Sequence, residues 1–160
     1  MELESEATRR VIELLTDAPP RLKRATLGIQ TTRIYLRTDV EPWSVNDILA
    51  HLRACSDVWG KSIMAMLTQD NPTQGYVSPR VSMKKPMYVD LDFGAALESF
   101  TEERHKLVLT LSNLDVVGWS RRGTFTGTSP RGRNQTVLSY AERLVNHEQG
   151  HLDQIEALLS

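Results

Sequence analysis

Residues 145–155 read VNHEQGHLDQI, and residues 43–52 read WSVNDILAHL. In the first stretch His147 and His151 are four residues apart, which places two side chains on one helix face with β-carbons roughly 5–6 Å apart. Apolar residues extend the same face in both directions, at Tyr140, Leu144, Ile155 and Leu158. The two imidazoles therefore replace apolar residues on the stripe by which a predicted C-terminal helix packs.

The second stretch carries a third histidine on another predicted helix. Ser44 followed by Asp47 fits a capping box at the start of that helix. The apolar stripe of this helix is Ile48, Leu52, Cys55, Trp59 and Ile63. His51 borders the stripe, so a bundle can bring it opposite His147 and His151. Three imidazoles from two facing helices predict an open site for one divalent ion, and they suit zinc, nickel or iron, with copper also compatible.

Three further side chains near this pattern have more than one interpretation. Glu148 is a candidate catalytic base on metal-activated water or a partner for an imidazole, and a surface carboxylate is equally compatible. Cys55 is one turn from His51, and we interpret it as a small buried hydrophobe within reach of the site. His105 has charged neighbours and is interpreted as solvated.

The segment from His147 to His151 also matches the H-E-x-x-H pattern of zinc proteases. That pattern needs a third ligand, which the common families supply downstream. Gln154 and Ala157 occupy the positions where the extended motif requires glycine and histidine. We also find no strand that would serve as a substrate-binding edge, so the pattern does not favour a protease.

The rest of the chain predicts an all-α fold of four helices in a single domain, residues 1–160. The first helical segment spans about residues 4–35, and Pro19-Pro20 is expected to break or kink it. The second ends near Thr68, and the third starts near Asp90 or Asp92. The fourth opens near Asn134 or Thr136 and runs almost to Ser160. Residues 68–90 form a long connection, typical of a crossover that makes helices 2 and 3 parallel. Residues 115–135 contain four glycines and leave room for a short extended piece around residues 124–126.

Composition excludes several classes of protein. Lys and Arg total 19 and Asp and Glu total 20, a balance that argues against a nucleic-acid partner. No window approaches the ~20 apolar residues of a membrane helix. The N-terminal residues lack the basic and apolar regions of a secretory signal, so we expect a cytoplasmic protein. We interpret the basic cluster of Arg121, Arg122, Arg131 and Arg133 as a solvated loop rather than an anion site.

Together, the two histidine stretches resemble the DinB/YfiT-like family. WSVNDILAHL is similar to its tryptophan–serine signature ending in His-Leu, and HEQGHLDQI is similar to its C-terminal motif. Phe100, Arg104 and Leu107 resemble the family's third helix. The resemblance implies a four-helix bundle with a crossover, a metal site at His51, His147 and His151, and a homodimer. Characterised relatives include transferases and isomerases that use low-molecular-weight thiols.

The leading hypothesis is therefore a metal-dependent S-transferase that joins a low-molecular-weight thiol cosubstrate to a small electrophile. Three alternatives stay open. The first is a metal-dependent hydrolase with Glu148 as base. The second is a non-catalytic metal- or ligand-binding stress protein. The third is a dimeric scaffold whose histidines only pack.

Overall fold

A computed structural model describes the backbone of residues 2–160 and the side chains of residues 6–160. The long helices of this part of the chain are α1 (Glu2–Thr26), α3 (Val45–Thr68), α6 (Phe93–Ser112) and α9 (Val137–Leu159). The short helices are α2 (Thr31–Ile34), α4 (Pro79–Ser82), α5 (Pro86–Val89), α7 (Val116–Trp119) and α8 (Pro130–Arg133). The strands are β1 (Thr73–Gly75), β2 (Arg122–Thr126) and β3 (Asn134–Thr136). Within the described residues, no helix combines the length and apolarity that crossing a bilayer requires.

Two apolar clusters inside the bundle reveal the directions of the long helices. One cluster joins the N-terminal parts of α1 and α9 to the C-terminal parts of α3 and α6, with Leu15, Leu144, Ile63 and Leu111. The other joins the opposite halves, with Leu22, Ile155, Ile48 and Phe100. The N-terminal parts of α1 and α9 meet in one cluster and their C-terminal parts meet in the other, so α1 runs parallel to α9. Helices α3 and α6 run parallel to each other and opposite to the first pair.

The order of the helices around the bundle differs from their order along the chain. Helices α1 and α3 each pack against both α6 and α9, so α6 and α9 face each other across a diagonal of the bundle. The long connection between α3 and α6 joins two parallel neighbours, as a crossover must. The predicted all-α four-helix bundle with a crossover between its second and third long helices is confirmed.

The crossover, residues 69–92, is itself folded onto α3. Met83 and Tyr88 of the crossover pack against Ala50 and Ala54 of α3. The Tyr88 hydroxyl donates a hydrogen bond to the carboxylate of Asp57, 2.5 Å away. The crossover therefore covers the face of α3 that carries Ala50 and Ala54 and buries these two small side chains.

A small sheet joins the two long connections of the chain. Strand β1 from the crossover pairs in parallel with β2, and β2 pairs antiparallel with β3 just before α9. The predicted extended piece at residues 124–126 lies in β2. Phe125 of β2 stacks on Tyr140 of α9 with ring centroids 4.7 Å apart, so the sheet packs against the end of the bundle.

Helix α1 differs from its prediction in two ways. It continues through Pro19 and Pro20, so a break at these residues, one of the two predicted effects, does not occur. It ends at Thr26 rather than continuing to about residue 35, and Leu27, just beyond its end, is 77% exposed. A proline lacks the N–H that a helix donates four residues back, so continuation through Pro19 leaves the Leu15 carbonyl without its helical donor.

The buried guanidinium of Arg104 supplies the missing donor. Its Nη1 donates to the Leu15 carbonyl oxygen at 3.1 Å. Both nitrogens at the end of the same guanidinium also donate to the carboxylate of Glu148, with Nη1 2.7 Å from Oε1. Arg104 and Glu148 are each 1% exposed, and they lie on α6 and α9, the pair that face each other diagonally. One side chain therefore ties α1, α6 and α9 together in the middle of the bundle.

At the surface, a second arginine joins α1 to α9. Arg21 donates to Gln149 at 2.9 Å and to Asp153 at 2.5 Å, and it also pairs with Glu156. These three partners follow one another along α9, as expected for a side chain that lies along a parallel neighbour. The predicted stripe of α9 needs one correction at its end, where Leu158 is 36% exposed and Leu159 is buried instead.

Local side-chain contacts set the ends of α3, α6 and α9. The predicted capping box of α3 is confirmed, because Ser44 and Asp47 each accept from the other's backbone N–H. Asp92 caps the start of α6 by accepting from the backbone of Ala95. Thr136 caps the start of α9, within the range that the sequence predicted. These caps satisfy backbone donors that helix starts leave without intrahelical partners.

We expect replacement of Arg104 by Met to lower the free energy of unfolding by about 3–5 kcal/mol, because it leaves a carboxylate buried without a partner. Denaturant unfolding followed by circular dichroism measures the change. The control is Lys106→Met on the exposed side of the same helix, which should change stability by less than about 0.5 kcal/mol. The double variant Arg104→Met with Glu148→Leu should recover part of the loss, since no buried charge then remains. A single Arg104→Met variant as stable as the control would contradict this account.

Candidate metal centre

Helix α9 presents two histidines at the middle of the bundle. The ring centroids of His147 and His151 are 4.7 Å apart, as their spacing of one helical turn predicts. Their burial differs from the prediction that both replace residues of the core. His151 is only partly buried and His147 is exposed, so this pair lies at the rim of the packed interior. The pair is therefore accessible to small molecules from solvent.

Helix α3 brings the third imidazole to the same place. His51 is 2% exposed, and its Nε2 lies 2.9 Å from Nε2 of His147. Its ring centroid is 4.9 Å from that of His151. Because α3 and α9 run antiparallel, residues 96 and 100 positions apart along the chain meet at one level of the bundle. The predicted convergence of His51 with the α9 pair is present in the structure.

The three imidazoles fit a divalent metal ion. One nitrogen from each ring can be chosen so that all three lie within 4.8 Å of one another. A tetrahedral ion with bonds of about 2.0–2.1 Å would hold two such nitrogens roughly 3.3 Å apart, so small rotations of the rings would suffice. Among the described residues, no carboxylate or thiolate joins this group. Three neutral nitrogen donors with an exposed side are the donor set of an open metal site rather than a closed structural one.

A hydrogen bond that His151 donates to Gln154, also on α9, orients its ring. Its Nδ1 lies 2.9 Å from the amide oxygen Oε1 of Gln154. Since an amide oxygen only accepts, Nδ1 carries the proton and the lone pair is left on Nε2. Partners of this kind fix the tautomer and the ring orientation of metal-binding histidines.

His51 and His147 are held in the neutral form that metal binding requires. Burial, followed by the charges of His151 and His147, lowers the pKa of His51 to about 4. Burial is also the main cause that lowers the pKa of His147, with smaller contributions from His151 and two arginines. At neutral pH an incoming cation therefore meets lone pairs and has no proton to displace from either ring.

Two tryptophans enclose the imidazoles. The Trp43 ring lies 4.9 Å from the ring of His51 and 6.2 Å from that of His151, measured between centroids. The Trp59 ring meets His147 edge to face at 5.3 Å. Aromatic walls on two sides lower the local polarity and limit the rotation of the histidine rings.

The structure places Cys55 beside the site but leaves it fully buried. Its Sγ lies 3.4 Å from Nε2 of His51, so the predicted reach and burial are both confirmed. Burial, with a further contribution from the charge of Glu148, raises the pKa of the Cys55 thiol to about 12. The thiol is therefore protonated at neutral pH and serves as packing rather than as a nucleophile.

Glu148 points away from solvent and is engaged elsewhere. Both of its carboxylate oxygens accept hydrogen bonds from Arg104, and the side chain is 1% exposed. The interpretation of Glu148 as a surface carboxylate is wrong, because the residue faces the bundle interior. A catalytic role for Glu148 stays a prediction. In the structure its carboxylate is paired with Arg104.

The remaining candidates lie outside the cluster. His105 is exposed on α6, as predicted. Of the predicted basic cluster, Arg122, Arg131 and Arg133 are exposed. Arg121 has a specific role that the sequence did not reveal, because its Nε donates to the Met66 carbonyl at 2.7 Å and its Nη2 to the Gln69 carbonyl at 2.8 Å. It thus closes the C-terminal end of α3.

Sequence reasoning did not assign Gln154, Arg104 or the two tryptophans to the surroundings of the site. Gln154 was recoverable, since a residue three positions after a helical histidine shares its face. Trp59 was assigned to the apolar stripe of α3, and the fact that His51 borders the same stripe was the available signal. No local pattern identified Arg104, because its partners are 44 and 89 residues away.

Comparisons with known proteins agree with this architecture. A family model of the DinB superfamily matches residues 4–155. The fold is similar to that of YfiT from Bacillus subtilis, with a TM-score of 0.80 and 17% sequence identity over 94% of this chain and 85% of that chain. YfiT is described as a probable metal-dependent hydrolase with an unusual four-helix bundle topology. At this identity the likeness concerns the fold. No curated protein sequence matches the chain.

We expect Gln154→Ala to weaken zinc binding roughly tenfold, because the ring of His151 loses the acceptor that fixes its tautomer. Competition with a chromophoric zinc chelator measures the affinity. Gln154→Glu keeps an acceptor oxygen and should retain most of the affinity. Gln149→Ala on the same helix, whose partner is Arg21, is the matched control and should bind zinc like the unchanged protein. Equal affinities for the two alanine variants would show that Gln154 does not orient a ligand.

Proposed function

The chain belongs to the DinB superfamily, and from this membership we propose that it is a metal-dependent enzyme that activates a small nucleophile, with a low-molecular-weight thiol as the leading candidate. The family match extends over residues 4–155 and therefore includes all three histidines. The proposed metal ligands are His51, His147 and His151. Zinc, nickel and iron are the proposed ions, since neutral imidazoles suit each of them.

One observation carries the proposal: three imidazoles converge, and the cluster they form is buried at His51 and open to solvent at His147. His51 is 2% exposed, whereas His147 is exposed to solvent. A purely structural site would surround its ion with four protein ligands, but the described residues offer three. The arrangement supports a site with positions left for an exogenous ligand, which is the requirement for catalysis by a bound ion.

In the proposed reaction, the ion activates the nucleophile and the side chains of the protein position the site. A bound divalent ion lowers the pKa of a thiol or water molecule that enters its open positions, so that a nucleophile forms near neutral pH. The chain's own side chains do the rest. Gln154 keeps the Nε2 lone pair of His151 available, and the tryptophans exclude water from the sides of the site. Arg104 and Glu148 hold α6 and α9 at a fixed separation.

Thiol transfer is favoured over hydrolysis by the absence of a free base in the described cluster. No carboxylate among the described residues shares the space of the imidazoles, and Glu148 is occupied by Arg104. In the proposed transfer, the thiol sulfur forms a bond to an electrophilic carbon, the leaving group departs from that carbon, and the thiol proton passes to solvent. This reaction requires no general base from the protein once the thiol is ionised.

The second candidate is a metal-dependent hydrolase. The observation in its favour is the fold similarity to YfiT, which is described as a probable hydrolase of this kind. In this reading the exposed side of the site would admit water and an ester or amide, and Glu148 would need to release Arg104 to act as a base. We further propose that the chain acts as a homodimer on a small-molecule substrate.

We expect the metal-loaded protein to accelerate the reaction of at least one small thiol with a chromogenic aryl halide above the rate with free metal. The measurement is the absorbance of the product across a panel of thiols, with zinc, nickel and iron loaded separately. His51→Ala and His147→Ala should each abolish the acceleration and the bound metal. His105→Ala removes an exposed histidine outside the cluster and should leave both unchanged.

Two outcomes separate the candidates. Bound metal without acceleration by any thiol would overturn the transferase proposal. Cleavage of chromogenic esters or amides without added thiol, lost in Glu148→Gln, would establish the hydrolase instead. Metal content is measured by elemental analysis in parallel, so that loss of activity and loss of metal are distinguished. A metal-free His105→Ala control would indicate that purification, rather than the site, removed the ion.

A further inference from the structure

Two arginines lie near the imidazole cluster, each next to a tryptophan that contacts a histidine. Arg143 lies on α9 one turn before His147 and two turns before His151, so these side chains share one face of the helix. Its guanidinium lies 6.0 Å from the centre of the Trp59 ring, and that ring contacts His147. Arg143 therefore belongs to the wall next to the more exposed histidine.

The other arginine comes from the crossover. Arg80 lies on α4, which packs against α3. Its guanidinium lies 5.1 Å from the centre of the Trp43 ring, and that ring contacts both His51 and His151. Each of the two arginines thus lies within 6.0 Å of the ring centre of a tryptophan that contacts a histidine.

Neither arginine has an anionic partner among the described residues. The ion pairs of this part of the chain engage other arginines: Arg9, Arg21, Arg24, Arg37 and Arg104. Arg80 and Arg143 are also exposed, and the described hydrogen bonds include none that they donate. The mouth of an otherwise uncharged histidine cluster is therefore cationic.

A cation–π contact with an aromatic ring prepares a guanidinium for an anion. The contact restricts the motion of the guanidinium, while its N–H groups stay available to donate. Those N–H groups match a carboxylate or a similar small anion in two-point geometry. A divalent ion on the histidines would add its positive charge to that of the two arginines, so both would attract a negatively charged ligand.

We propose that the ligand reaching the histidine cluster carries a carboxylate or similar small anionic group, which Arg80 and Arg143 bind while its reactive atom meets the metal position. This inference rests on the proposed function, because it names the class of molecule that the same site takes. It assigns the two arginines to substrate recognition. It also explains why they are left without carboxylate partners beside an exposed cluster.

The test uses two thiols of similar size, mercaptoacetate with a carboxylate and 2-mercaptoethanol with a neutral hydroxyl. The protein is loaded with Co(II), and each thiol is titrated while the sulfur-to-cobalt charge-transfer absorption is recorded. Arg80→Gln and Arg143→Gln should each weaken mercaptoacetate up to about fivefold and leave 2-mercaptoethanol unchanged. Lys106→Gln loses the same charge on α6 and should leave both affinities unchanged.

The outcomes separate this inference from the proposed function. Thiol absorption with equal affinities in the unchanged protein and both arginine variants would overturn the inference and leave the metal-dependent activity standing. An equal loss for both thiols would also overturn it, since the arginines would then act on the fold or the metal. A charge-specific loss for mercaptoacetate alone supports it.

A second measurement tests the cationic mouth without relying on bound Co(II). Iodide and neutral acrylamide both quench tryptophan fluorescence, but a cationic surface concentrates only iodide. Trp43 is partly exposed beside Arg80, so Arg80→Gln should lower the ratio of iodide to acrylamide quenching constants by roughly a factor of two. If Arg80→Gln shows the same ratio of quenching constants as the wild-type protein and Lys106→Gln, a cationic mouth is contradicted.

Discussion

Arg104 can lie at the centre of the bundle only because three oxygens accept its hydrogen bonds. Two belong to Glu148 and one to the Leu15 carbonyl. An unpaired charge in this position would carry a large desolvation penalty. The interaction sits where the two apolar clusters meet, and the imidazoles of His51 and His147 lie at the same level. A polar layer therefore divides the core, and the candidate metal centre is the part of that layer that opens to solvent.

This layer explains how the bundle tolerates residues that contradict its pattern. Pro19 removes a helical hydrogen bond inside a packed helix, and Arg104 donates to the carbonyl that the proline leaves free. Glu148 would be a costly buried carboxylate next to His147, and the same guanidinium neutralises it. Each group would be unfavourable alone, since buried polar atoms need partners. Together they fix the register between α1, α6 and α9, and with it the position of the histidine pair.

Much of this could be read from the sequence, because it depends on local periodicity. The capping box at Ser44, the approximate starts of α6 and α9 and the helical faces follow from spacing that short segments contain. The convergence of His51 with His147 and His151 was predicted from their positions on those faces together with the family resemblance. The length of the 68–90 connection was enough to predict parallel neighbours. What the sequence did not reveal depends on contacts between distant segments. The continuity of α1 through Pro19 requires a donor 89 residues away, and the exposure of His147 depends on how far α9 rotates against α3. Neither quantity is encoded in the neighbourhood of the residue concerned.

The small sheet holds only the start of the crossover. Pairing of residues 73–75 with β2 fixes the connection at one end, and α6 fixes it at the other. The chain between them carries Arg80 on a four-residue helix at the rim of the site, while all three histidines belong to long helices of the bundle. The proposed metal ligands and Arg80 thus lie in separate parts of the molecule, whereas Arg143 shares α9 with two of the histidines. Substitution of Arg80 would therefore change the charge at the rim of the site without replacing any residue of the imidazole cluster.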